Sequence, residues 1–373
     1  MRDINTFISK SLDQRIKNKS LRTLKTENSL IDFCSNDYLG FSRSEELKIL
    51  FETELKKYPE YRMGSGGSRL LAGNHSFTEN LEQGIALFHD AESALIYNSG
   101  FDANIGLLAC LPQRGDTIIS DEFIHASIID GIRLSHASRY VFRHNDHSSL
   151  EQKLKQAKGR IFIVVESVYS MDGDEAPLKQ IAKLAKQYSA ALIVDEAHAV
   201  GIFGDSGKGL VYELGLCGEV FARIITFGKA LGSHGAAILG SKQLRSYLIN
   251  FSRAFIYTTA APFLSHLAVK SAYLYLNSRD HQSEIHQRIK FFKQNAKTGI
   301  NLLNSRSAIQ IIVIPGNEKA REIARLIQVE GFDLRAILSP SVAEGSERLR
   351  ICLHNHNSIE EIKSFCELLN KTL

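Results

Sequence analysis

A chain of 373 residues, 44% apolar and 23% charged, exceeds the size at which a single core keeps growing, so two packed domains are expected. The formal charge of +4 is spread along the sequence with no basic block interleaved with aromatics, which excludes a nucleic-acid stripe. No apolar run approaches the roughly 18 residues of a membrane span, and the N-terminus lacks the apolar stretch of a signal peptide.

Residues 4 to 24 carry Ile4, Phe7, Ile8, Leu12 and Ile16 among basic groups, a pattern that predicts an amphipathic opening helix. LIDFCSNDYLG then reads as a short strand, closing an N-terminal segment placed at 1–43. GSGGSRLLAGNH at 64 to 75 is a glycine-rich loop without the lysine of a phosphate loop, so conformational need accounts for it as well as ligand contact does. From about residue 44 onward, helical patterns alternate with the apolar runs SALIYNSG, DTIISDE, RIFIVVES, AALIVDEAH, RIITFGKA and AAILG. That alternation predicts an α/β domain over 44–279 with a mostly parallel central sheet flanked by helices. PLKQIAKLAKQYSA places Leu178, Ile181, Leu184 and Ala185 on one face and lysines on the other, making 161 to 195 a β-α-β unit. After a helical region around 262 to 303, AIQIIVIP, FDLRAIL and ERLRICL predict a smaller C-terminal α+β domain over 280–373.

Chemistry belongs at the strand ends of such a sheet. In IYNSGF, Ser99, Gly100 and Phe101 precede a helical pattern whose exposed N–H groups suit a phosphate, although strand-to-helix turns contain glycine for conformational reasons as well. His125 follows the next run, where it reads either as a polar cap or as a ring that stacks on an aromatic ligand; Ser167 ends IFIVVES. Asp195 leaves an apolar strand three residues before His198, either capping the turn or facing a ligand. Thr226 and Lys229 lie on the turn after the following strand. A lone lysine there reads as a solvated charge, but together with Asp195 it makes a chemical pair. A lysine amine forms a Schiff base, and a carboxylate keeps a pyridinium nitrogen protonated so that the ring draws electrons. The five cysteines (Cys34, Cys110, Cys217, Cys352, Cys366) show no CxxC spacing and read as free thiols in a reducing, cytoplasmic compartment; no metal site is expected.

Taken in order, CSNDYLG, GSGGSRLLAGNH, NSGF, HAS, ESVYSMDGD, DEAHAVGIFG, TFGKALG, IYTTAAP and RLRICL carry a resemblance. From about Leu12 to His356 the chain resembles the α-oxoamine synthase family of fold-type I pyridoxal-phosphate enzymes. The resemblance implies pyridoxal 5'-phosphate bound to Lys229, with Asp195 on the pyridine nitrogen, His198 on the phenolic oxygen and His125 stacked on the ring. It places Thr226 and the backbone of Gly100 and Phe101 on the phosphate, and Ser167 in contact with the cofactor. It also implies a two-fold homodimer with Thr258 or Thr259 reaching the partner's cofactor phosphate. For substrates it assigns Arg350 and Asn36 to the amino-acid carboxylate, and Arg22 and Ser341 to the acyl chain. The wording is most like the branch that condenses L-alanine with a pimeloyl thioester, delivered on coenzyme A or acyl carrier protein. Sister reactions giving a sphingoid base, aminolevulinate, 2-amino-3-ketobutyrate or a signalling aminoketone are the alternatives. A catalytically silent binding subunit is a further one, which need not retain Lys229. Ser341 where threonine is common, Phe101 where tyrosine often stands, and HNHNS after Arg350 depart from the family wording.

Overall fold

A computed structural model describes residues 3–24, 26, 29–296 and 299–373 and divides the chain into two compact units, Met1–Leu30 and Ile31–Leu373. The first unit is a helix over Ile4–Lys17, capped by the Asp3 carboxylate, which accepts from the amides of Asn5 and Thr6. It stops short of residue 24, and Ile4, Phe7, Ile8, Leu12 and Ile16 are all exposed on it.

The second unit is organised by a seven-stranded sheet. Its strands are β2 (Ser93–Tyr97), β3 (Thr117–Asp121), β4 (Ser138–Phe142), β5 (Ile161–Glu166), β6 (Ala191–Asp195), β7 (Ala222–Thr226) and β8 (Ala236–Gly240), in the spatial order β2-β8-β7-β6-β5-β3-β4. β3 to β7 are mutually parallel, and β8 runs antiparallel to both β7 and β2. β2 therefore points the same way as β7, and the carboxyl ends of six strands share one edge. The strands are buried on both faces by period-two alternation. Ile163, Val165, Leu192 and Val194 join the core on one side, whereas Phe162, Val164 and Ile193 pack on the other with Ala103, Leu107, Ile128 and Leu248.

The remaining strands are β1 (Ile31–Asp32), β9 (Ile309–Val313), β10 (Phe332–Asp333), β11 (Arg335–Ile337) and β12 (Arg348–Cys352). β12 lies between β11 and β9, antiparallel to both, and β1 pairs in parallel with β10. The stretch after β1 is held to the C-terminal strands by Cys352 N to Phe33 O and Asn355 N to Tyr38 O, both 2.9 Å, and by Phe33 stacked on Phe365 at 4.1 Å. HNHNS explains itself here. The Asn357 carboxamide oxygen takes His354 N at 3.0 Å, its nitrogen donates to Asp32 O at 3.1 Å, and Asn355 donates to His281 O at 3.0 Å. The unusual wording is therefore a hydrogen-bonded clasp that places CSNDYLG beside β12. No described helix is long and apolar enough to cross a membrane, and the five cysteines are free.

Candidate active site

Along the common edge, β6 delivers Asp195, and its carboxylate is fixed from two directions. Oδ1 accepts from the amide of Ala197 at 2.9 Å, closing the turn, while Oδ2 accepts from the Asn104 carboxamide at 2.8 Å. Capping and ligand-facing are thus compatible readings of one side chain. Asn104 lies on the helix Gly100–Leu108 and also donates to Ser127 Oγ at 3.0 Å. Ser127 Oγ lies 2.7 Å from His125 Nδ1, which caps the helix Ala126–Leu134 by accepting from Ser127 N. His125 is therefore both an N-cap and, with its ring exposed, a face open to a flat ligand.

Glu166 ends β5 in register with Asp195 and so projects from the same side of the sheet. It is buried, and among the described residues its Oε1 has no hydrogen-bond partner. Burial, and then the neighbouring Asp195, push its carboxyl up to about 8. Ser167, the next residue, is fully buried and directs its hydroxyl to the Asp195 carbonyl at 3.3 Å, bracing the strand ends.

Lys229, on the turn after β7, lies with its amine 2.6 Å from His198 Nε2. Burial pushes that amine down to about 8, against the pull of Asp195 and Glu166. The other side of the buried His198 ring meets the Tyr38 hydroxyl at 2.7 Å. Tyr38 also contacts Asn36 Oδ1 at 3.0 Å, and the same oxygen accepts from Arg350 Nη2 at 2.9 Å. Arg350 Nε donates to the Ser170 carbonyl at 2.7 Å, and Nη1 contacts Cys352 Sγ at 3.0 Å.

At the other end of the site, Ser99 caps the helix Gly100–Leu108 by accepting from Asp102 N, leaving the first amides of that helix unpaired within it. A Cβ on Gly100 would stand 2.7 Å from Thr226 Cγ2, so only glycine lets this helix start close against the end of β7. Asn98 donates to Thr258 Oγ1 at 3.1 Å and to the Thr259 carbonyl at 2.9 Å, tying IYTTAAP to the same corner.

The structure thus brings together Asn36, Asp195, His198, Lys229 and Arg350, with His125 joined to Asp195 through Ser127 and Asn104, and sets Gly100 against Thr226. Ser341 lies exposed after β11, its amide bonded to Leu338 O at 2.8 Å, and Arg22 is exposed in the N-terminal unit. Among the described residues, Ser341 makes no hydrogen bond to these site residues. Sequence reasoning missed Asn104, Glu166 and Tyr38. Glu166 alone carried a readable signal, a carboxylate closing an apolar strand as Asp195 does.

This donor set fits pyridoxal phosphate. A restrained carboxylate acts electrostatically on a lysine amine, a histidine ring is exposed, and a helix N-terminus packs against threonine with no side chain between them.

The sequence profile of the family described as Aminotransferase class I and II matches residues 28–369. An 8-amino-7-oxononanoate synthase of Emericella nidulans is 40% identical over 369 residues, covering 91% of this chain and 89% of that protein. The solved 8-amino-7-oxononanoate synthase of Francisella tularensis is 29% identical with a TM-score of 0.77, covering 92% of this chain and 98% of that one. A Sphingomonas wittichii serine palmitoyltransferase has a TM-score of 0.88 at 24% identity, over 98% and 96% of the two chains, and this likeness is one of fold.

Proposed function

The chain belongs to the class I and II aminotransferase family, and from that premise we propose that it is an 8-amino-7-oxononanoate synthase. It condenses L-alanine with a pimeloyl thioester, releasing carbon dioxide and the thiol carrier, and works in biotin biosynthesis with pyridoxal 5'-phosphate on Lys229. The observation that carries this reading is the Lys229 amine against His198 in the same site as the Asp195 carboxylate, which Asn104 and Ala197 restrain.

When bound, the cofactor supplies an electron sink for a carbanion at the amino-acid Cα. Asp195, held by Asn104 and Ala197, would keep the ring nitrogen protonated. Gly100, Phe101 and Thr226 would hold the phosphate, and the exposed ring of His125 would stack on the pyridine. Ser167 would contact the cofactor from the end of β5, and His198 would face its phenolic oxygen. Arg350, steadied by Asn36 and the Ser170 carbonyl, receives the amino-acid carboxylate as a bidentate guanidinium. Lys229, with a pKa near 8, serves as the base that removes the Cα proton and later returns one. His125 also steadies the oxyanion formed when the thioester carbonyl is attacked. Arg22 and Ser341 contact the acyl chain, the acyl group arrives on coenzyme A or acyl carrier protein, and the enzyme is a cytoplasmic homodimer.

One second reading keeps the family and changes the substrates: the sphingoid-base alternative, condensation of L-serine with a longer acyl thioester. The absorbance spectrum of purified protein, recorded alone, after L-alanine and after pimeloyl thioester, tests both, with Lys229→Ala alongside. A cofactor band that L-alanine perturbs, and that Lys229→Ala lacks in its lysine-bound form, is the expected result. A band that only serine perturbs selects the second reading. Absence of any band after adding pyridoxal phosphate overturns both.

A further inference from the structure

Four contacts form a continuous chain from the substrate arginine to the cofactor lysine. Arg350 Nη2 and the Tyr38 hydroxyl lie 2.9 and 3.0 Å from the same Asn36 oxygen. Tyr38 Oη lies 2.7 Å from His198 Nδ1, and His198 Nε2 lies 2.6 Å from Lys229 Nζ. The direction of every proton follows from what each group is able to do. A guanidinium only donates, so the Asn36 atom that faces it is the amide oxygen. An amide oxygen only accepts, so Tyr38 spends its one proton on it; the opposite orientation would set two lone pairs against each other at 3.0 Å. The phenol oxygen then accepts from His198, which puts the imidazole proton on Nδ1. Burial, reinforced by the charges of Lys229 and Arg350, holds His198 well below its ordinary pKa, so the ring is neutral and Nε2 is bare. Burial also keeps the Tyr38 phenol from ionising.

We propose that Tyr38 is a positioning residue which, anchored by Asn36, fixes His198 as its Nδ1-protonated tautomer, so that the nitrogen facing Lys229 accepts a hydrogen bond and does not donate one. The bare Nε2 stabilises the Lys229 ammonium and, toward a phenolic oxygen, requires that the proton reside on the cofactor side. Asn36 serves both ends, so the tautomer is set from the oxygen that also orients the arginine for the amino-acid carboxylate. The relevance to catalysis rests on the proposed role of Lys229, whereas the tautomer is measurable without cofactor.

The test is nitrogen NMR of the full chain with 15N-labelled histidine, before and after pyridoxal phosphate is added, with the His198 signals identified by their loss in His198→Gln. Before addition, a protonated Nδ1 and an unprotonated Nε2 are expected. Asn36→Ala releases the phenol proton to swing onto Nδ1 and should move the imidazole proton to Nε2. Tyr38→Phe keeps the ring volume and should leave a mixture of tautomers. The Lys229 amine, followed by its pH-dependent reaction with an amine reagent, should titrate lower in both variants. A protonated Nε2 in the wild type, or a His198 signal and a Lys229 titration unmoved in Asn36→Ala, overturns the proposal even if Tyr38→Phe does not fold. A wild type with the expected tautomer that never takes up pyridoxal phosphate would overturn the proposed function and leave this inference standing.

Discussion

Asp195 owes half of its restraint to Asn104, a polar residue in the interior of the helix Gly100–Leu108, 2% exposed and hydrogen-bonded to Asp195 and Ser127. Asn104→Ala should retain the fold and bind cofactor but lose about 10- to 100-fold in kcat/KM, the value of one hydrogen bond to a charged group; a steady-state assay checks this, and an unchanged rate removes Asn104 from the account. Glu166 gives a pH signature. Its folded pKa is raised from 4.5 to about 8, so below pH 4.5 the group is protonated in both states and costs nothing. Above that value the unfolded chain ionises while the folded chain holds its proton, so stability falls as pH rises toward 8. Glu166→Gln never ionises, so its stability relative to wild type should climb across that window in urea unfolding of cofactor-free protein. A difference that stays flat with pH would refute the neutral carboxyl. Asp195, His198 and Lys229 were legible in the sequence because strand-end position and mutual chemistry mark them. Asn104 and Tyr38 were not, because a polar residue inside a helix or turn gains its meaning only from what the fold sets opposite it.

At the scale of elements, the parallel strands were legible because burial on both faces turns each into a short apolar run. β4 escaped notice for the converse reason. It is the edge strand next to β3, and all but Phe142 of Ser138–Phe142 is partly or fully exposed, so no apolar run advertises it. The opening helix was legible from its periodicity, but its end was not; the chain turns at Lys19, which takes a left-handed backbone at φ 51°. Close approach between elements is where glycine identity matters, and Gly100 against Thr226 is the case that bears on function. Gly100→Ala should push Thr226 aside and weaken pyridoxal-phosphate binding by about tenfold or more, equivalent to about 1.4 kcal/mol, while the far-ultraviolet circular dichroism stays unchanged. Thr226→Ser removes the clashing methyl and keeps the hydroxyl, so adding it to Gly100→Ala should restore binding in a spectrophotometric titration. Failure of that rescue would mean that the tight packing of helix on strand is not what shapes the phosphate end.

At the scale of the whole molecule, the proposed homodimer turns on IYTTAAP. Thr258 already accepts from Asn98 of its own chain, whereas the Thr259 side chain is exposed and only its carbonyl is engaged by Asn98. Of the two threonines, Thr259 is therefore the one free to serve a second copy of the chain. Complementation separates the possibilities through two-fold symmetry. A Lys229→Ala chain is inactive, and a Thr259→Ala chain should bind cofactor weakly. In a heterodimer of the two, a shared site built from Lys229 of one protomer and Thr259 of its partner is fully intact once and doubly defective once. Random mixing after dissociation should then restore wild-type cofactor affinity to about a quarter of all sites. If Thr259 serves the site of its own chain, every site in the mixture carries a defect and no high-affinity fraction appears. A mixture that shows none, while sedimentation confirms that heterodimers formed, would return Thr259 to its own protomer and remove the shared phosphate site.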